Sequence, residues 1–224
     1  MFDNFDSFIN EELYTEKVSP QQLDALLSQG WRHFGEHFFR YNIGFHEHEL
    51  RLVMPLRVRL ADFAISKSQR RVLRRNQDLK IVFRSIEVTT EKKDLFETHK
   101  RRFKHSVPDS IYDFLSPSPA DVPCEAWEVC VYDEREKLLA ASFFDVGATA
   151  ISAVYAMFEP QETTRSLGIF TMLLVIDHAI KNGKTFYYPG YAYEGSSFYD
   201  YKKRFAALEF YSWNGEWKEF EIGL

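Results

Sequence analysis

Much of what usually betrays a protein's chemistry is missing from this chain. It has two cysteines in 224 residues, Cys124 and Cys130, so a disulfide framework is excluded and a reducing compartment is expected. No stretch of about 18 uncharged apolar residues occurs, so no transmembrane helix is expected. The opening Met1-Phe2-Asp3-Asn4-Phe5-Asp6 is acidic where a secretory signal is basic, and a cytoplasmic location follows as the expectation. There is no G-x-S-x-G or comparable nucleophile signature, no complete glycine-rich phosphate loop, no internal repeat and no low-complexity tract. His46-Glu47-His48 offers ligand-type residues, but alternation in a polar stretch reads as a solvated loop rather than a metal site. Cys130 reads as a buried strand residue. Neither a metal nor a bound cofactor is expected.

What is present is enough apolar surface for a core. Apolar residues make up 45% of the chain and aromatics 17%, with 21 phenylalanines. At roughly 150 residues per domain, the length fits one large domain or two small ones. The net charge of −5 conceals a segregation. Residues 1–50 carry 3 Lys or Arg against 9 Asp or Glu, residues 51–104 carry 16 against 6, and residues 105–224 carry 9 against 18. A block of net +10 inside an acidic chain needs a partner.

The first 20 residues mix aromatics with acids and are expected to lie across another part of the fold. Ser19-Pro20 starts a helix that Gly30 ends. Trp31–Arg40 reads as one strand, 42–49 as a polar loop, and Leu50–Leu60 as a strand interrupted by Pro55. A short helix over 66–78, a strand over 79–88 and a helix over 92–104 follow. The second half is more regular. Strands over 126–132, 138–145 and 150–158 form a meander, and a helix over 166–182 leads to a short strand over 185–188. After a loop come a helix over 197–205 and a last strand over 208–213. This order is α+β, with a right-handed β-α-β crossover that needs a parallel strand pair. Ligands of such sheets sit beyond a strand's C-terminal end, here around Phe158 to Gly168.

Three segments carry chemistry. In Ser66-Lys67-Ser68-Gln69-Arg70-Arg71-Val72-Leu73-Arg74-Arg75, cations crowd at i,i+4 spacing, a repulsion that phosphates would relieve; pairing with acids from the flanking segments is the alternative. Lys100-Arg101-Arg102-Phe103-Lys104-His105 is a second, weaker cluster. Arg165-Ser166-Leu167-Gly168 opens a helix whose free N–H groups suit an anion, and otherwise it is a capped helix start. Tyr187 to Ser196, followed by Tyr199, Tyr201, Lys202, Lys203 and Arg204, interleaves aromatics with cations, as base stacking or a sheet edge would require.

Taken together these segments resemble the arginyl/leucyl-tRNA–protein transferase family. Leu26-Leu27-Ser28-Gln29-Gly30-Trp31-Arg32-His33-Phe34-Gly35 is similar to its N-terminal segment. Pro55-Leu56-Arg57-Val58 and Ser66 to Arg71 are similar to its "P-x-R-V" and "S-R-S-Q-R-R" segments. Ser152-Ala153-Val154-Tyr155, Arg165 to Gly168, Gly190-Tyr191 and Tyr201-Lys202-Lys203-Arg204-Phe205 follow in order. The resemblance covers roughly residues 20–210 and departs in two places. The family's cysteine cluster is absent, its places holding Glu47, Leu50 and Val53, and the second arginine of the Trp31 segment is His33.

The resemblance implies a GNAT-like α+β acyltransferase fold over 66–224 with a small N-terminal α+β subdomain over 1–65. It implies transfer of an amino acid from aminoacyl-tRNA, as co-substrate, to the α-amine of a protein whose first residue is acidic, marking that protein for degradation under the N-end rule. Arg70, Arg71 and Arg74 are then candidates to hold tRNA phosphates, with Arg165, Ser166 and Gly168 under the acceptor end and Lys202 and Arg204 beside it. Tyr191 and Tyr201 would shape the reacting pocket, and Asp145 is the candidate base or amine-binding carboxylate. Two alternatives remain open at this stage: a GNAT enzyme using acyl-CoA, and a non-catalytic relative that binds tRNA or protein.

Overall fold

The computed structural model describes residues 8–46, 49–104 and 106–221; His46-Glu47-His48 therefore lies largely outside the described residues. In chain order the elements are β1 (Asn10–Tyr14), α1 (Pro20–Ser28), β2 (Arg32–Phe34), β3 (His37–Tyr41), β4 (Ile43–His46) and β5 (Glu49–Arg59). Then come α2 (Lys67–Arg75), β6 (Lys80–Ser85), α3 (Thr90–Lys100), β7 (Ala126–Tyr132), β8 (Leu138–Val146) and β9 (Ala150–Phe158). Last are α4 (Leu167–Lys181), β10 (Phe186–Tyr193), a 3-10 turn (Asp200–Arg204), β11 (Leu208–Tyr211) and β12 (Trp217–Glu219).

Among the described residues the strands form two sheets. A small one has the order β1-β3-β2, and a large mixed one has the order β12-β11-β5-β10-β9-β8-β7-β6, with β4 paired to β5. The antiparallel meander β7-β8-β9, the helix α4 and the parallel strand β10 realise the expected crossover in a GNAT-like α+β architecture. Strand β5 lies in the large sheet between β10 and β11.

Several elements differ from the sequence reading for local reasons. The expected strand over 31–40 folds back on itself as β2 and β3, with Gly35 in the left-handed region (φ +52) at the turn. Ile43 and Phe45 alternate with polar neighbours and pair with β5 as a strand instead of a loop. Pro55 does not break β5: it lies opposite Tyr191 and beyond the last β11 partner, where its missing N–H removes no ladder bond on that side. Strand β10 runs on to Tyr193 because β5 continues beside it. The expected helix over 197–205 is the short 3-10 turn.

The core sits on both faces of the sheet. Strand β8 is buried over Leu138–Asp145 because helices cover it on either side. Leu167, Phe170, Leu173 and Ile176 of α4 pack one face, and Leu95 and Phe96 of α3 pack the other. Under α3 lies a fully buried ion pair. Lys92 donates to the Glu128 carboxylate and to the Glu87 carbonyl, while Arg84 Nε reaches Glu128 at 2.7 Å. Such a pair is costly to half-remove, since a lone buried charge loses solvent and partner together. Glu128→Leu should therefore lower unfolding stability by about 3–5 kcal/mol in urea titrations, and Glu128→Leu with Lys92→Met should regain most of it. A single variant within about 0.5 kcal/mol of wild type would contradict this account of the pair.

Candidate active site

Strands β9 and β10 pair in parallel only from Ala150↔Phe186 to Ser152↔Tyr188. Beyond that they separate, β9 continuing to Phe158 and β10 to Tyr193 without pairing to each other. A β-bulge at Val154 marks the point of divergence: Phe144 faces Ala153 while Phe143 faces Tyr155. The opening leaves the β10-facing edge of β9 without a strand partner.

Strand β2 sends Arg32 into this opening. Its Nη1 donates to Ser152 Oγ at 2.5 Å and its Nη2 to the Ala153 carbonyl. The next residue, His33, has Nε2 2.9 Å from Asp145 Oδ2 and Nδ1 2.9 Å from the Gly35 carbonyl. Both ring nitrogens face oxygens, so the ring is fixed between the Asp145 carboxylate and the Gly35 carbonyl. Asp145 is only 2% exposed. Its carboxylate is thus committed to positioning β2. Cys124 adjoins this pair, its atoms and theirs lying within 4.8 Å of one another. Burial, with Asp145 beside it, pushes the Cys124 thiol well up, so it is no nucleophile.

On the β10 side, Gly190 is left-handed (φ +95), and a Cβ there would lie 3.2 Å from Lys202 Nζ and 3.6 Å from Arg32 Nη2. Both cations therefore flank one point above Gly190. Lys202 Nζ donates to the Tyr191 carbonyl at 2.9 Å. Burial, and then the nearby Arg32 charge, bring the Lys202 ammonium down to about 7. Burial also lowers Arg32, with the Asp145 charge opposing the shift. The Tyr191 phenol donates to the Gly30 carbonyl at 2.6 Å, so it ties α1's end to β10. Tyr201, 38% exposed beside Lys202, is pushed up to about 12 by burial and stays a hydrogen-bond donor at neutral pH.

Half-buried rings line the approach. Tyr155 stacks on Phe114 at 4.0 Å, Phe114 meets the edge of Phe34 at 5.0 Å, and Phe34 adjoins Phe39 at 5.3 Å. The Tyr155 hydroxyl is buried without a hydrogen-bond partner, and burial raises its pKa. The Arg102 charge reaches both the Tyr155 and Tyr201 phenols.

Helix α2 begins with a capping box, Ser66 with Gln69, and buried Gln69 also donates to the Arg204 carbonyl at 3.5 Å. This fastens the 200–204 turn to the start of α2. Arg70 bonds the Ile65 carbonyl at 2.9 Å, and exposed Lys67, Arg71 and Arg74 have no carboxylate partner among the described residues. Arg204 is likewise exposed. Together these cations form a basic face leading from α2 to the strand opening.

Three other sequence candidates are placed differently. Arg165 grips Asp78 with two bonds, at 2.9 and 2.8 Å, and Glu162 at 3.1 Å. Ser166 is held in the left-handed region (φ +53) without capping α4 through its side chain. A Cβ at Gly168 would meet the Phe158 ring at 3.1 Å, so its smallness serves packing. Asn76, bonded to the Arg165 carbonyl, ties this segment to α2. Arg32, Ser152 and Tyr155 carry no spacing signal of a site in the sequence, because their partners lie in distant elements. An arginine beginning a short strand was the available signal.

Residues 87–212 match the protein family described as arginine-tRNA-protein transferase, C terminus. An aspartate/glutamate leucyltransferase of Stenotrophomonas maltophilia (strain K279a) is 31% identical over 208 residues, spanning 88% of this chain and 80% of its own. One from Xanthomonas euvesicatoria pv. vesicatoria is 33% identical over 178 residues, spanning 74% and 70%. Among solved structures, L-PGS from Bacillus licheniformis has a TM-score of 0.51 at 14% identity, covering 84% of this chain and 55% of that one. FemX has a TM-score of 0.50 at 11% identity, covering 86% and 65%. This chain spans less than two thirds of either solved chain, and the likeness is one of fold.

Lys202 gives the site a pH signature. Its ordinary value of 10.5 falls to about 7 in the fold, so the unfolded chain binds more protons between those values. The penalty of holding the charged lysine is full below about 7 and is relieved as pH rises toward 10.5. From pH 7 to 9 the urea midpoint of the wild type should rise relative to that of Lys202→Met; parallel curves would contradict this placement of the ammonium.

Proposed function

The chain belongs to the arginine-tRNA-protein transferase family of aminoacyltransferases, which carry an amino acid from aminoacyl-tRNA to a protein N-terminus, and on that premise we propose that it transfers leucine to proteins beginning with aspartate or glutamate. The leucyl donor and the acidic acceptor are the activities in the names of its relatives. The observation that carries the reading is the unpaired basic face of Lys67, Arg71, Arg74 and Arg204, which ends at the opening between β9 and β10. Phosphates of the tRNA acceptor stem would relieve the repulsion along it.

The chemistry asks little covalent work of the protein, because the aminoacyl ester is already activated. The acceptor α-amine, with a pKa of about 8, loses its proton to solvent and attacks the ester carbonyl. A tetrahedral intermediate forms, the C–O bond to the ribose oxygen breaks, an amide forms, and that oxygen takes up a proton. The rate gain comes from holding amine and ester together and from donors aimed at the developing oxyanion. The backbone edge of β9 between Val154 and Phe158, which has no strand partner and whose last N–H is taken by His99 Nδ1, and the free Tyr155 hydroxyl supply such donors. The Tyr201 phenol, protonated at neutral pH, would donate to the leaving ribose oxygen. The leucyl side chain lies against the half-buried Phe34, Phe114 and Tyr155 rings. Asp145 and Tyr191 act from behind, holding β2 and β10 in register.

Incubation with radiolabelled leucyl-tRNA and a peptide beginning with Asp should label the peptide. Arg70→Glu with Arg71→Glu should weaken leucyl-tRNA binding at least tenfold and flatten its salt dependence. Labelling from acetyl-CoA instead, or tRNA binding with no transfer to any peptide, would sink the reading.

A further inference from the structure

Two neighbouring cations at the strand opening share no carboxylate. Among the described residues most other buried or half-buried cations meet acids, as Lys92 and Arg84 meet Glu128 and Arg57 meets Glu209 at 2.6 Å; Lys184, held by the Gly147 and Ala148 carbonyls, stands alone rather than beside a second cation. Arg32, 8% exposed, and half-buried Lys202 instead donate to neutral oxygens, those of Ser152, Ala153 and Tyr191. Asp145, whose charge reaches Arg32, is already bonded to His33. Both cationic groups lie within 3.6 Å of the position a side chain would take on Gly190, which has none. Two desolvated like charges side by side are unfavourable until an anion joins them.

We infer that Arg32 and Lys202 form the specificity site for the acceptor, taking the side-chain carboxylate of its first residue over Gly190. This rests on the aminoacyltransferase reading above. A guanidinium beside an ammonium suits a planar carboxylate, which accepts several charge-assisted bonds at once. Lys202 is half-buried, so its ammonium lies nearer solvent than the Arg32 guanidinium. A phosphodiester would have to bring its strand along, and the exposed face of α2 already serves that charge. An acidic side chain anchored here leaves the adjoining α-amine beside the free edge of β9, where the ester is attacked. An Asn or Gln side chain brings no charge and leaves the two cations opposed.

The site is sensitive to pH through Lys202. Facing that ammonium are Arg32 from β2, the Tyr191 carbonyl from β10, and the Tyr199 and Tyr201 rings at the 200–204 turn, with Tyr187 beside Arg32 and Tyr201 and Asp145 acting at longer range through Arg32. Burial keeps the phenols of these four tyrosines protonated around neutrality, which leaves Lys202 as the group that changes charge there. A bound carboxylate holds the lysine charged, so binding takes up a proton above about pH 7.

The test uses the full chain and labelled peptides identical except for a first residue of Asp, Glu, Asn or Gln. Binding is read by fluorescence anisotropy without tRNA, and transfer is read with leucyl-tRNA. The wild type should prefer Asp over Asn by about 10²-fold in peptide affinity. Lys202→Met should cut that ratio below about tenfold, through Kd for the Asp peptide, with Kd for leucyl-tRNA unmoved. Arg32→Lys, which keeps the charge, guards against a folding defect in Arg32→Met and should retain part of the ratio. From pH 7 to 9 the wild-type ratio should fall by up to about tenfold per unit. The Asn peptide corrects for the shared α-amine, and Lys202→Arg should abolish the fall. An unchanged Asp-to-Asn ratio in Lys202→Met overturns the inference. So does an equal loss for both peptides together with weakened leucyl-tRNA binding, which assigns the pair to an RNA phosphate. Failure of leucyl transfer to every peptide, with the binding ratio behaving as described, removes the leucyl donor and leaves the carboxylate site standing.

Discussion

Everything at the centre of this protein depends on one arginine reaching between two parallel strands. Arg32 occupies the space where β9 and β10 part, bonded to the Ser152 hydroxyl and the Ala153 carbonyl. A guanidinium suits that place because it carries donors enough for both of these β9 oxygens and stays charged even when desolvated. Its neighbours exist to keep it there. The His33–Asp145 pair holds the following residue, the Tyr191 phenol clasps the Gly30 carbonyl, and Gly190 stays bare so that Arg32 and Lys202 can approach. The small β1-β3-β2 sheet is thus one wall of the site as well as an appendage to the large sheet.

The charges divide by solvent access into three kinds with different consequences. Lys92 and Glu128 are sealed under α3, where each makes the other tolerable. The α2 cations stand in water, where mutual repulsion costs a few tenths of a kcal/mol per pair and a polyanion is welcome. Arg32 and Lys202 lie between these extremes, desolvated enough to repel and accessible enough to be answered by a ligand. Net charge alone expresses none of this, since the acidic surface cancels the basic face in the total.

The regular second half of the fold was legible from its periodicities: the meander, α4 and the parallel partner strand all stand where the pattern put them. The first half was harder, because its short strands carry no clear alternation and its turn at Gly35 depends on tertiary contact with the Phe114 carbonyl. The site was legible only in pieces. The α2 cations were visible as a charge block, and they remain exposed. Arg165 and Gly168 looked like an anion cradle, yet Asp78 and the Phe158 ring claim them, and no spacing rule connects residues so far apart in the chain. The order of short motifs pointed to the family more firmly than any one residue pointed to a role. The fold explains why: Gly30, Arg32, Ser152, Gly190 and Lys202, separated by up to 172 positions, all meet around one opening.

The central claim is that the aminoacyl end of the tRNA enters the divergence of β9 and β10. Hydrogen exchange on the full chain, with and without a non-hydrolysable leucyl-amide analogue of the tRNA 3′ end, tests it most directly. The account predicts slowed exchange in peptides covering residues 153–158 and 190–202, with α3 and β6 unaffected. Unchanged exchange across both segments, with protection appearing elsewhere, would contradict it.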